Sequence, residues 1–109
     1  MADLQVKIAG VAFENPLIAA SRHLRLWPGI PGILSALHIG GISCKGITLQ
    51  ERPGNPPPRI AETPSGMLNS VGLQNPGVDH FIEEDLPWLK QQGTVVIANI
   101  AGNTQQDYC

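Results

Sequence analysis

Three short apolar runs constrain this chain more than anything else in it. Leu17–Ala20, Gly40–Lys45 and Thr94–Asn99 are built mainly of small and β-branched apolar residues, without the strict polar alternation of a strand that faces water. Runs of this kind suit strands buried on both faces, as in parallel sheets covered by helices. Parallel neighbours need a crossover of a dozen or more residues, and both intervals here are long enough. Each run ends in a hydrogen-bonding side chain: Ser21, Lys45 or Asn99. In a parallel sheet those ends share one edge, and in a (β/α)8 barrel that edge carries the active site. The expected fold is α/β, an N-terminal fragment of about three strands of a (β/α)8 TIM barrel. A complete barrel takes roughly 250 residues. The 109 residues therefore read as one incomplete barrel domain, the front of a larger protein.

Other segments fill in around these strands. Leu4, Val6 and Ile8 alternate with polar residues, Ala9-Gly10 turns the chain, and Val11–Phe13 returns, which predicts a β-hairpin. Placed before the first strand, it would plug the N-terminal mouth of the barrel. Between the second and third runs, Asn75 can cap a helix with Pro76 at its first position. Val78, Phe81 and Ile82 have helical spacing, Pro87 should break or kink the helix, and Gly93 should end it. After Asn99, the pattern Thr104-x-x-Asp107 predicts a capping box.

The stretch Gly54–Gly77, GNPPPRIAETPSGMLNSVGLQNPG, holds four glycines, five prolines and three asparagines in 24 residues. No helix or long strand can run through it. Ile60, Met67, Leu68, Val71 and Leu73 are spaced along it as candidate apolar anchors. A long loop with its own anchors and several amide side chains has the make-up of a functional loop; a plain crossover rich in turns is the alternative.

Composition removes several function classes. The apolar fraction is 42%, the mean hydropathy is 0.00, and the net charge is −2. The balance suits a folded chain rather than a disordered one, and it offers no basic surface for nucleic acid. No apolar run reaches the roughly 20 residues of a membrane span. The N-terminus MADLQVKIAG lacks a signal-peptide pattern. Cys44 and Cys109 lie too far apart for metal-ligand spacing or a disulfide framework. The expectation is a soluble, cytoplasmic protein with no metal site.

Longer strings carry a resemblance. NPLIAAS at 15–21, GGISCKGITLQERPGNPPPRIAETPSGMLNSVGLQNPG at 40–77, DLPWL at 85–89 and VVIANIAG at 95–102 resemble the N-terminal part of dihydroorotate dehydrogenases. The likeness is to the cytosolic, flavin-dependent class 1, and most of all to the catalytic subunits of its NAD-linked B-type branch. Together the strings cover most of the chain outside 22–39. The resemblance implies oxidation of dihydroorotate to orotate in pyrimidine (UMP) biosynthesis, with hydride passed to FMN. It implies that Ser21, Lys45, Gly46 and Asn99 hold FMN, and that Lys45 also touches the substrate. Asn69, Ser70, Val71, Gly72 and Leu73 match the substrate loop. It further implies a homodimer working with an electron-transfer subunit, and FAD and an iron–sulfur cluster are expected only on that partner. The chemistry fits these residue types: a cation beside a flavin stabilises the reduced ring, and an amide can donate and accept toward a pyrimidine.

The chain departs from the pattern in two places. The family's general base, a cysteine in this class, lies beyond residue 109, and neither Cys44 nor Cys109 matches it. The 109 residues alone are therefore expected to be inactive, since losing a general base costs about 10²–10⁴-fold. Residues 22–35, RHLRLWPGIPGILS, should resemble GTFGFGREYxEF. Permitted codons for Arg22–Leu34, read one base on, give GTFGFGREYQEF. We read the segment as frame-shifted, with a second slip near Ser35–Leu37 restoring the register of Lys45. Stop codons or unrelated residues in the adjacent frame of the gene would overturn this; a genuine lineage-specific loop is the alternative. Two other functional readings stand beside the enzyme: a non-catalytic fragment, or an interaction module displaying Pro56–Pro58 as a polyproline surface.

Overall fold

The computed structural model describes residues 3–21 and 38–109. The frame-shift reading of 22–35 lies outside them. The predicted hairpin is present as β1 (Val6–Ile8) and β2 (Val11–Phe13), antiparallel, with Val6 opposite Phe13. The three apolar runs form one parallel sheet in the order β3 (Ile18–Ala19), β4 (Gly41–Ile47) and β7 (Val95–Ile100). β4 is the middle strand and runs on past Lys45 to Ile47, two residues beyond the end read from the sequence. Asn15 ties the sheet's entry together. Its side chain donates to the His38 carbonyl and accepts from the Gly40 and Leu17 amides. Phe13 is buried, and a methyl on Gly41 would lie 3.0 Å from its Cε1. The hairpin therefore packs at the N-terminal end of β4, on the side where a plug belongs.

Between β4 and β7 the chain forms a helix, α1, over 78–90. It opens with an α-turn (Val78–His80), widens into a π-turn (Phe81–Asp85) and closes as α-helix (Leu86–Lys90). Pro87 does not interrupt the helix, but the expected distortion is there: a π-turn precedes it and a second short α-segment starts at Leu86. Proline lacks an N–H and its ring collides with the carbonyl four residues back. Here the Leu86 amide donates to the Phe81 carbonyl, five residues back, so the wider turn makes room for the ring. Asn75 is not the cap either: Gly77 occupies that position at φ 88, and no side chain caps the helix. Gly93, at φ 71, closes the turn after the helix. The capping box is formed: Thr104 accepts from the Asp107 amide, and Asp107 accepts from the Asn103 and Thr104 amides at the head of a 3₁₀ turn (Gln105–Tyr108).

α1 covers one face of the sheet. Ile42, Ile47, Phe81 and Leu89 form the core, with Cys44, Val78, Leu86, Trp88 and Val96 packed around them. Leu89 is fully buried, which contributes on the order of 2 kcal/mol. The barrel is not closed. Leu17, Ile18 and Ile100 remain exposed, where a parallel sheet is ordinarily covered on both faces.

The stretch 54–77 contains a second hairpin that composition did not reveal: β5 (Ile60–Thr63) and β6 (Gly66–Asn69), antiparallel around Pro64-Ser65. Every residue in it is exposed. Ile60, Met67 and Leu68, read as anchors, are 60%, 62% and 65% exposed, while Val71 and Leu73 are half-buried. Polar side chains do the anchoring.

Candidate functional site

The carboxyl ends of the parallel strands make the rim. Gly46 pairs with Asn99 across β4 and β7. Ala19 pairs with Ile42, so the same register carried two residues on sets half-buried Ser21 level with Cys44. At 3.3 Å of rise per residue, Ser21, Lys45, Gly46 and Asn99 lie within about 7 Å of one another along the strand direction. The register of β4 slips against β7 between Ser43 and Gly46. Two residues, Cys44 and Lys45, there face one, Ala98, which is a bulge. A bulge re-aims side chains, and Lys45 is one of the two residues in this one. Val96 packs on the core beneath α1, so by alternation Asn99 points to the opposite face. Lys45 and Asn99 are exposed, and neither side chain makes a hydrogen bond or ion pair among the described residues. An ammonium and a carboxamide thus stand at one rim without a partner among the described residues, a donor set that suits an electron-poor ring and an anion.

The long loop returns to that rim. Its neck is an antiparallel bridge in which Arg52 and Asn75 exchange both backbone hydrogen bonds, at 2.9 and 3.0 Å. Asn75 is buried, and its Oδ1 accepts from the Thr48 and Gly77 amides, each at 3.1 Å; the Thr48 hydroxyl, which donates to the Gln50 carbonyl, lies 3.1 Å from the same oxygen. Its Nδ2 donates to the Leu73 carbonyl at 2.9 Å. Leu73 holds a left-handed backbone, φ 53, and a methyl on Gly46 would lie 3.0 Å from its Cδ1. The loop and β4 therefore meet at Gly46, where a methyl would fit only if the Leu73 side chain gave way.

Farther out, Asn55 and Arg59 cross the loop. The Asn55 amide donates to the Val71 carbonyl at 3.1 Å, and its side chain donates to the Ser70 hydroxyl at 2.8 Å. Arg59 donates to the Asn55 carbonyl at 2.6 Å, the Gln74 side chain at 2.7 Å and the Pro53 carbonyl at 2.9 Å. Asn69 ends β6, opposite Ile60, and is exposed. The structure thus joins Gly46, Asn99 and Leu73 at the rim, and binds Ser70 and Val71 to the opposite arm of the loop.

A family model described as dihydroorotate dehydrogenase matches residues 3–109. This chain belongs to the dihydroorotate dehydrogenase family. It is similar to the catalytic subunit of dihydroorotate dehydrogenase B (NAD+) from Petrotoga mobilis, at 51% identity over 99% of this chain and 36% of that one. Its counterpart in Alkaliphilus metalliredigens is 49% identical over 98% and 35%, and that of Bacteroides thetaiotaomicron 47% over 99% and 36%. The ligand-free dihydroorotate dehydrogenase of Eimeria tenella shares the fold, with a TM-score of 0.62 at 24% identity over 96% of this chain and 33% of that chain. The chain spans about a third of the length of each. The family uses a flavin.

Within this dihydroorotate dehydrogenase portion, Cys44 has no catalytic look. Burial, with the Asp85 carboxylate adding to it, pushes its thiol above the usual range, so it stays protonated and unreactive near neutral pH. Among the described residues no cluster of His, Cys, Asp and Glu could hold a metal, and no helix is long and apolar enough to cross a membrane. Sequence reasoning missed Asn55, Arg59 and the Thr48–Asn75 contact. For the hairpin a signal was available, IAET and GMLN flanking Pro64-Ser65. For the polar contacts none was, because partners 15 and 27 residues apart have no local period.

Proposed function

We propose that these residues are the N-terminal third of a dihydroorotate dehydrogenase catalytic subunit that oxidises dihydroorotate to orotate in pyrimidine biosynthesis. The observation that carries it is the meeting of Gly46, Asn99 and Leu73 at one rim, with Lys45 the neighbour of Gly46 on the same strand, in a chain 51% identical to an NAD-linked catalytic subunit. FMN is the flavin in this reading, held by Ser21, Lys45, Gly46 and Asn99. When bound, it supplies the hydride acceptor.

The chain's own residues do the rest. Lys45 holds positive charge at the edge where negative charge grows during reduction, and it orients the substrate from the same position. Asn99 donates to the flavin ring. Gly46 lets the ring and the loop approach the strand. Asn69 reads the pyrimidine edge with a donor and an acceptor, and backbone N–H groups around Val71–Leu73 face the substrate carboxylate. The cysteine base belongs to the part of the protein beyond residue 109. Electrons leave through a separate subunit to NAD+, with the catalytic subunit working as a homodimer in the cytoplasm.

The test is made on the complete catalytic subunit, with these 109 residues as its N-terminal third. Lys45→Ala is expected to lower kcat by about 10²–10³-fold, the usual cost of removing one such electrostatic stabiliser. Asn99→Ala should weaken flavin retention, read from the absorbance of the purified protein. Full activity and full flavin content in both variants would overturn the reading.

A further inference from the structure

Asn75 is one of only two buried polar residues among those described, the other being Thr48. Neither belongs to the residues that the family resemblance marks as touching cofactor or substrate. Yet the Asn75 carboxamide bridges three segments. Its oxygen accepts from the amides of Thr48, the first residue after β4, and of Gly77, the residue that opens α1. Its nitrogen donates to one group in the loop, the Leu73 carbonyl. Leu73 is the residue whose side chain rests on Gly46.

We propose that Asn75 is a positioning residue: it locks the Gly72–Leu73 main chain, and with it the substrate-facing segment, to the carboxyl end of the flavin-bearing strand. This rests on the reading given under Proposed function. Two features make the lock necessary. Gly72 and Leu73 both have left-handed backbones, φ 75 and 53, and for leucine that conformation is disfavoured unless something holds it. The hairpin just before them is fully exposed and gives no support. The donated hydrogen bond from Asn75 is the one side-chain contact among the described residues that fixes the Leu73 carbonyl, and therefore the orientation of the peptide that follows Leu73.

The two ends of this carboxamide can be separated by substitution. Asn75→Asp keeps an acceptor for Thr48 and Gly77 but replaces the donor to Leu73 with a repelling oxygen. Thr48→Val removes the hydroxyl contact at the neck and leaves the Leu73 bond intact. In the complete holoenzyme, Asn75→Asp should raise the KM for dihydroorotate and the Kd for orotate roughly tenfold, the scale of one lost hydrogen bond, while kcat and flavin content stay within about twofold. Thr48→Val should lower the melting temperature and leave KM within about twofold. If both variants raise KM in step with their loss of melting temperature, Asn75 is merely structural and the proposal falls. It falls equally if Asn75→Asp leaves KM and orotate binding unchanged. Asn75→Ser, whose hydroxyl still accepts from Gly77 but is too short to reach Leu73, serves if the aspartate variant does not fold; the same rise is expected. Lys45→Ala, run alongside, separates the two ideas. Loss of activity there with no Asn75 effect overturns this inference alone, and full activity there overturns the functional reading beneath it.

Discussion

Gly72→Ala is the substitution whose consequence follows most directly from the geometry. Gly72 has φ 75, and a methyl at this position would lie 2.8 Å from the Asn55 backbone nitrogen, Cγ and Oδ1. The neighbour is backbone, so it cannot swing aside. A left-handed alanine costs about 1–2 kcal/mol. Moving Asn55 away forfeits its amide bond to Val71 and its side-chain bonds to Ser70, worth about 0.5–1 kcal/mol each at an exposed site. Lower entropy of the unfolded alanine chain returns about 0.4–1 kcal/mol. The net is about 3 kcal/mol, and it falls on the outer loop because the Arg52–Asn75 neck is untouched. Amide hydrogen exchange at Asn55 should therefore quicken about 150-fold, with that at Ile42 and Val96 unchanged. Orotate binding should weaken by up to the same factor, because only the closed loop is competent. Gly66→Ala is the control: its methyl would meet nothing within 4 Å. Unchanged exchange at Asn55 in Gly72→Ala, or an equal effect from Gly66→Ala, would refute the reasoning.

Arg59→Lys keeps the charge but loses the planar fork that reaches Pro53, Asn55 and Gln74 at once; KM for dihydroorotate should rise about tenfold, from the loss of one or two such bonds, with kcat little changed. Asp85→Asn tests a pH effect. Burial, with Glu84 adding and His80 opposing, holds the Asp85 carboxyl above its ordinary range, so the native state binds its proton more tightly than the unfolded chain does. Its contribution is then favourable below the ordinary carboxylate range and is lost as pH rises through the raised value. The variant should melt higher than the parent at pH 7 and converge with it below about pH 4; a lower melting point at pH 7 would show that the His80 contact, at 3.9 Å, outweighs burial.

The parallel sheet was legible because its signal is local: Gly41–Ile47 and Val95–Ile100 are apolar over the length of a strand. The capping box at Thr104 was legible for the same reason, with donor and acceptor three residues apart. The loop was only half legible. Its glycines and prolines announced turns, but its apolar residues were misread as anchors because burial is a property of the partner surface, and Ile60, Met67 and Leu68 have none here. The bulge at Cys44–Lys45 had no signature at all, since it exists only as a mismatch between two strands. Pro87 announced a distortion but not its form. A proline rules out the ordinary turn behind it, yet a wider turn evades the clash at the cost of one helical residue.

The polar neck explains how one loop can be both fixed and open. Closing an excursion from Arg52 to Asn75 costs roughly 3 kcal/mol in chain entropy. Against this stand the two backbone bonds of that pair and three bonds of the Asn75 carboxamide. At about 0.5–1.5 kcal/mol each, and toward the upper value where buried, they hold the neck shut without help from the hairpin beyond it. Hydrophobic anchoring would have done this only by drawing the segment 69–73 into a core, taking its N–H groups away from any ligand. A neck of hydrogen bonds leaves that segment at the surface, beside Gly46, with its direction set from behind. The price is steric exactness at a few atoms. Gly72 faces Asn55 at 2.8 Å and Gly46 faces the Leu73 side chain at 3.0 Å, so a methyl at the first pries the two arms of the loop apart and a methyl at the second displaces Leu73 from the strand.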